Sequence, residues 1–156
     1  MDDSCPVLLF DGECGLCVRA VRLLLNSDRK RRLRFAPLQG GAAQEFLREC
    51  GWATEDFESV IFVSDWARRM VRPPLIKTDA LCAAVEVTGG GLALLGWLRF
   101  FPRSWRDAVY RWVARWRRQF FGRGDGDELL REFGVERFIL SPMAVSGGCG
   151  GAAAAK

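Results

Sequence analysis

Apolar residues follow two rhythms along this chain. Residues 6–10, PVLLF, form a short unbroken run of the length expected of a buried strand, and Asp11-Gly12 then signals a turn. From 15 to 26 the spacing becomes helical, with Val21, Leu24 and Leu25 on an inward face. SDRKRR, 27–32, reads as a solvated charged turn, and LRFAP, 33–37, as a strand stopped by Pro37. AAQEFLREC, 42–50, predicts a helix closed by Gly51, and SVIFV, 59–63, a further strand. RRMVR, 68–72, is the expected hairpin partner of that strand across residues 64–67. Thr78 or Asp79 is placed to cap a helix through ALCAAVEVT, 80–88, and a second short helix over 92–101 should end at Pro102. Ser104 and Asp107 have the spacing of a capping box, which opens a helix of about four to five turns stopping at Gly122. ELLREFGVERFIL, 128–140, is a less regular helix-plus-strand segment.

The order is therefore β-α-β-α-β-β-α followed by more helix. A first β-α-β unit of this kind is parallel and right-handed, and a hairpin then completes a small mixed sheet. The expected fold class is α/β and thioredoxin-like, a four-stranded mixed sheet with additional C-terminal helices. At 156 residues, with 49% apolar and 27% charged positions, the chain suits one soluble domain. That domain is expected over 1–142 and includes the helix at 104–121. The Gly/Ala-rich stretch 143–156 lacks core-building periodicity and reads as a disordered tail. No apolar run reaches membrane-spanning length, since LCAAVEVTGGGLALLGWLRFF is broken by Glu86 and three glycines. The opening MDDSCPVLL carries no basic region followed by a cleavable apolar one, so a reducing, cytoplasmic location is expected.

The chain contains no histidine, which removes the usual general base and the commonest metal ligand. Chemistry must then run on thiols and carboxylates. Of the six cysteines only Cys14 and Cys17 are close in sequence, and they fall between the first strand and the first helix. At a helix N-terminus, unpaired N–H groups and the helix dipole favour thiolate over thiol, with pKa values lowered to roughly 3.5–7.5 in known cases. Cys17 lies one turn beyond Cys14 on the same face, so the two sulfurs can meet disulfide geometry. The expected division of labour is that Cys14, at an exposed tip, attacks a disulfide and the more shielded Cys17 resolves the product. Asp11, three residues before Cys14, either accepts a proton from Cys17 or ties the turn or caps the helix. Arg19 and Arg22 either attract an acidic thiol substrate or simply face solvent. No dissociable cofactor is needed, because the dithiol carries the electrons. Zinc would need four ligands, and neither a second C-x-x-C nor histidines are present. Cys5 starts the first strand, Cys50 ends a helix, Cys82 sits on a helix among alanines as a small buried residue, and Cys149 lies in the tail with a chance of reaching the site.

With the motif in this context, the chain resembles the DCC family of thiol-disulfide oxidoreductases, named for an Asp-x-x-Cys-x-x-Cys motif. Here the motif reads DGECGLC, with Asp11, Cys14 and Cys17. The similarity continues through RFAPLQ at 34–39, SVIFV at 59–63, TDAL at 78–81, and RDAVYRWVAR with FFGR within 106–123. The resemblance implies a thioredoxin-like fold and thiol-disulfide activity. Two departures stand out. The segment GWATEDFES has no proline where thioredoxin carries a cis-proline facing its dithiol, and GRGDGDELL has no cysteine where many family members do.

One further pattern is left over. In RSWRDAVYRWVARWRRQFF, Trp105, Val109, Trp112, Trp116 and Phe120 share a stripe at helical spacing, while Arg103, Asp107, Arg111, Arg115 and Arg118 line another face. Between Trp97 and Arg123 eight arginines face a single aspartate. The plainest expectation is that the tryptophans are buried against the sheet or neighbouring helices. The alternatives are a docking surface for a membrane or a membrane-protein partner through Arg103, Arg111, Arg115 and Arg118, and, less favoured, nucleic acid. The rival functions to a dithiol enzyme are accordingly a non-enzymatic adaptor built on helix 104–121 and a metal-binding module.

Overall fold

An unbroken apolar strand has to be covered on both faces and both edges, and β1 (Val7–Phe10) is, with all four residues buried. The structure is a computed structural model that describes residues 5–52, 54, 60–89, 100 and 102–141. On one edge β1 pairs in parallel with β2 (Arg34–Pro37), from Val7 opposite Arg34 to Phe10 opposite Pro37. On the other it pairs antiparallel with β3 (Ile61–Val63), which pairs antiparallel with β4 (Leu75–Ile76). The sheet order is β2-β1-β3-β4. The alternation of side chains along β1 divides the core in two. Leu8 and Phe10, with Phe35 and Phe62, face α1 (Gly15–Ser27), α3 (Lys77–Thr88) and Leu129 of α5 (Gly126–Phe133). Val7 and Leu9, with Ile61 and Val63, face α2 (Gly41–Glu49) and the Phe46–Trp66 ring pair at 5.6 Å. This is the thioredoxin-like plan expected from the element order. Helix α4 (Arg103–Phe121) forms an outer layer against α1 and α3.

Several local expectations are corrected. Residues 68–72 do not pair with β3. Asp65 folds the chain into turns instead, accepting from the Ala67 N–H at 3.1 Å, while the Trp66 N–H donates to Cys5 and draws that ring into the core. Pro73 and Pro74 supply no N–H donors, so pairing resumes only at Leu75. Helix α3 starts earlier than a Thr78 or Asp79 cap would allow. Its N-cap is Ile76, and Asp79 falls inside the first turn, where its Oδ1 lies 3.1 Å from Nη1 of the buried Arg106. Helix α4 likewise starts from Pro102, so Ser104 is inside it and not a cap. It does stop at Gly122, whose φ of +61° favours a residue without a Cβ. The strand expected near 138 shrinks to a single parallel bridge between Phe138 and Phe35. Apart from Phe100 and Pro102, the helix expected over 92–101 and its end lie outside the described residues, as do Ser59 and the tail 143–156.

The stretch 27–32 is not simply solvated. Asp28 is fully buried and accepts from the N–H groups of Arg32 and Leu33 at 3.1 and 2.9 Å. Its Oδ2 also takes Nη2 of Arg137 at 2.8 Å, a residue 109 positions away. Burial pushes the Arg137 guanidinium down from its ordinary value, and the facing Asp28 carboxylate opposes that shift. The pair anchors the C-terminal segment to the turn between α1 and β2. Removing one partner leaves a buried charge uncompensated, which typically costs about 3–5 kcal/mol. Asp28→Ala should therefore lower the unfolding free energy by about that amount in a denaturant titration. Glu136→Gln, which removes the exposed Arg31 contact at 3.8 Å and a lesser charge acting on Arg137, should cost far less.

Candidate functional site

Cys14 is the N-cap of α1, with extended backbone (φ −91°, ψ 115°) and no capping bond from its side chain. Its carbonyl opens the helix by accepting from the Val18 N–H at 3.0 Å. Cys17 follows one turn later, and both cysteines belong to the apolar layer of Phe10, Val18 and Val21. Both are thiols, not a disulfide. The turn ahead of them is held by Asp11. Its Oδ1 accepts from the Glu13 N–H at 3.0 Å and from Gln39 Nε2 at 2.9 Å, while Gln39 Oε1 takes the Gly12 N–H at 3.1 Å. Asp11 thus ties the loop after β1 to the loop after β2, and the N-cap position itself belongs to Cys14.

The expectation of an exposed Cys14 fails. Cys14 and Cys17 are 7% and 9% exposed, so neither forms a tip. The cover is a strap of residues 122–126 running antiparallel to the cysteine loop. The Gly15 N–H donates to the Gly122 carbonyl (3.3 Å), Cys14 bridges Arg123, and the Gly124 and Gly126 N–H groups donate to Glu13 and Gly12 (2.7 and 3.0 Å). There is no room between the two backbones. A Cβ on Gly124 would stand 2.7 Å from Val18 Cγ2 and 2.8 Å from the Cys14 carbonyl carbon and oxygen. The sequence signal was available: glycine at every second position, 122, 124 and 126, marks a close approach of backbone to backbone.

Beside the strap lies a groove of about 590 Å³, bounded by Glu13, Gln39, Asp125, Asp127 and Arg131, with neither Cys14 nor Cys17 in its lining. Arg22 is occupied elsewhere, 3.1 Å from each of Glu128 and Glu132 on α5, and Arg19 is exposed on α1. Cys5 is buried ahead of β1, and Cys82 on α3 has its sulfur 3.9 Å from Arg106 Nη1. Cys50 ends α2, where burial and then the Glu49 charge push its thiol above the ordinary value of 9.0, with Arg69 opposing. Cys149 lies outside the described residues. Among the described residues no three Cys, Asp or Glu side chains cluster closely enough to hold a metal ion.

With this geometry in view, comparison with known proteins is decisive. The model of the DCC1-like thiol-disulfide oxidoreductase family matches residues 8–123, from β1 through α4 to the residue that bridges Cys14. The chain belongs to the DCC1-like thiol-disulfide oxidoreductase family. Its relatives include a chloroplastic DCC family protein of Arabidopsis thaliana, 34% identical over 129 residues, covering 82% of this chain and 72% of the relative. An uncharacterized Bacillus subtilis protein, YuxK, is 31% identical over 75% of this chain and 81% of its own length. No solved structure matches the chain. In this DCC1-like protein Asp11, Cys14 and the end of the matched region, Arg123, come together in one loop pair, although they are distant in sequence, with Cys17 one turn into α1. Membership supports a thiol-disulfide oxidoreductase role.

Two outcomes follow from the packing. Gly124→Ala should force the strap off the cysteine loop, lowering stability by about 1–3 kcal/mol and raising the alkylation rate of Cys14 in site-resolved mass spectrometry. Cys50, with its thiol pushed above 9.0, should alkylate slowly at neutral pH, at a rate that climbs steadily with pH and levels off only beyond that value.

Proposed function

We propose that the Cys14/Cys17 pair is the redox couple of a thiol-disulfide oxidoreductase. The observation that carries this reading is the placement of Cys14 at the N-cap of a 13-residue helix, with Cys17 one turn on in the same layer. The helix N-terminus stabilises a Cys14 thiolate, which makes it the attacking sulfur.

The steps balance without a further reagent. The Cys14 thiolate attacks one sulfur of a substrate disulfide, forming a mixed disulfide and releasing the other substrate sulfur as a thiolate. Cys17 then loses its proton and attacks Cys14 Sγ. The Cys14–Cys17 disulfide forms and the second substrate sulfur leaves. Two electrons pass from the dithiol to the substrate; the Cys17 proton goes to one substrate sulfur, and the other takes from water a proton equivalent to the one Cys14 released on ionising. Run in reverse, the same steps oxidise a dithiol substrate. Asp11 acts as a positioning residue, fixing the turn that presents Cys14. Because the strap lies across Cys14, a substrate disulfide reaches it when residues 122–126 lift, and the bonds that must then break are the backbone hydrogen bonds donated by Gly15, Gly124 and Gly126.

Cys14→Ser should abolish disulfide reduction of a small disulfide and remove the two-electron redox transition. Cys17→Ser should instead stall at a mixed disulfide on Cys14, seen as a one-to-one adduct by mass spectrometry. A wild-type titration in which Cys14 and Cys17 fail to interconvert between dithiol and disulfide would exclude the mechanism.

A further inference from the structure

The tryptophan stripe of α4 is not part of the core. Trp105, Val109, Trp112 and Trp116 are 68%, 57%, 65% and 40% exposed, contrary to the expectation that they would be buried. The reason is the way α4 docks. Arg106, not a tryptophan, is the buried described side chain of α4, paired with Asp79 of α3 at 3.1 Å, and Val113 is the half-buried one, two turns further along. That choice turns the tryptophan stripe outward. Positions 105, 109, 112 and 116 run roughly 16 Å along the helix. The adjacent stripe, Ser104, Ala108, Arg111 and Arg115, is exposed as well. From 108 to 121 the sequence has four arginines and no acidic residue. Phe100, just ahead of the helix, is 84% exposed.

We infer that this face of α4 is a docking surface for an anionic lipid bilayer, on which the tryptophans enter the headgroup region and Arg111 and Arg115 meet lipid charge. Contiguous exposed apolar patches of this kind mark interaction sites on soluble folds. The chemistry selects the occupant. Tryptophan is favoured where one side of a ring is apolar and the other wet, and arginines bordering such a stripe match negatively charged headgroups. The face is the convex side of a single helix, which fits a plane and offers no groove for a peptide. Among the described residues no helix is long and apolar enough to cross a membrane, and the contact proposed here is with the bilayer surface. Helix α4 ends at Phe121 and runs straight into the strap over Cys14, so a bilayer on this face lies beside the candidate redox site. The inference does not depend on the redox reading.

Vesicle flotation of the full chain tests it. Phosphatidylcholine vesicles with about a third phosphatidylglycerol should carry the protein, pure phosphatidylcholine vesicles should not, and binding should fall steeply as salt rises from about 0.1 to 1 M. Arg111→Gln with Arg115→Gln should weaken partitioning by about 30-fold, from the usual contribution of a basic residue near an anionic surface. Trp105→Ala with Trp112→Ala should also release the protein. Arg29→Gln with Lys30→Gln removes the same charge from an exposed turn elsewhere and should leave binding nearly intact. All these residues are exposed, so an unchanged circular-dichroism spectrum and thermal midpoint certify that each variant is folded, and this control is independent of the redox reading. Absence of flotation with anionic vesicles, equal binding to neutral ones, or binding that survives both α4 variants would overturn the inference. So would an α4-dependent association with an acidic protein or an oligonucleotide in the absence of lipid flotation.

Discussion

Two stretches of backbone lie against each other with no side chain between them. Residues 12–15 present the cysteine loop and residues 122–126 lie across it, and the gap closes because Gly124 and Gly126 have no Cβ. Everything distinctive about the site depends on that approach. It brings the far end of α4 to the start of α1, buries Cys14 to 7% exposure, and shapes the groove bounded by Glu13 and Asp125. In thioredoxin a proline-containing loop faces the dithiol. Here a glycine strap pairs with it through backbone bonds, from a part of the chain more than a hundred residues away.

Much of this was legible in the sequence, because it rests on local pattern. The four apolar residues of β1, the helical spacing after Gly15 and the β-branched run at 60–63 each point to the element that forms, and their order dictates a mixed sheet. The motif located the cysteines at a helix start for the same reason. What failed were statements about what lies across from a residue. Asp28 sits in a string of charges, and nothing within that string announces that Arg137 arrives from the other end of the chain to bury it. Cys14 was expected to be exposed because a helix tip usually is, until a distant strap covers it. Residues 68–72 look strand-like, but Trp66 gains more from entering the core beside Phe46 than the chain would from an early hairpin.

The outward tryptophans illustrate the same limit with opposite sign. An amphipathic helix has an obvious apolar stripe, and burial of that stripe is the ordinary outcome. In α4 a polar anchor overrides it. Arg106 reaches Asp79 in the first turn of α3, where a carboxylate also complements the helix dipole. A guanidinium seated there at 8% exposure holds its side of α4 inward, and the stripe one residue earlier, about 100° round the helix, is exposed. Among the described residues the Arg106–Asp79 ion pair is thus a contact that turns one side of this 19-residue helix inward and leaves the tryptophans to the surroundings.

The strap is held at both ends, and this bounds how Cys14 can be reached. On one side α4 terminates at Gly122, in a left-handed conformation that aims the chain across the cysteine loop. On the other, the Asp125 side chain caps α5 through the Asp127 N–H, and α5 is fixed to α1 by Arg22 with Glu128 and Glu132. Beyond α5 the Asp28–Arg137 pair anchors the segment again. Movement of the whole segment from α5 to Arg137 would break that buried ion pair, at a cost above that of a few backbone hydrogen bonds. In the proposed mechanism, exposure of Cys14 comes from residues 122–126. Three of those five residues are glycine, so the feature that lets the strap approach also lets it bend away.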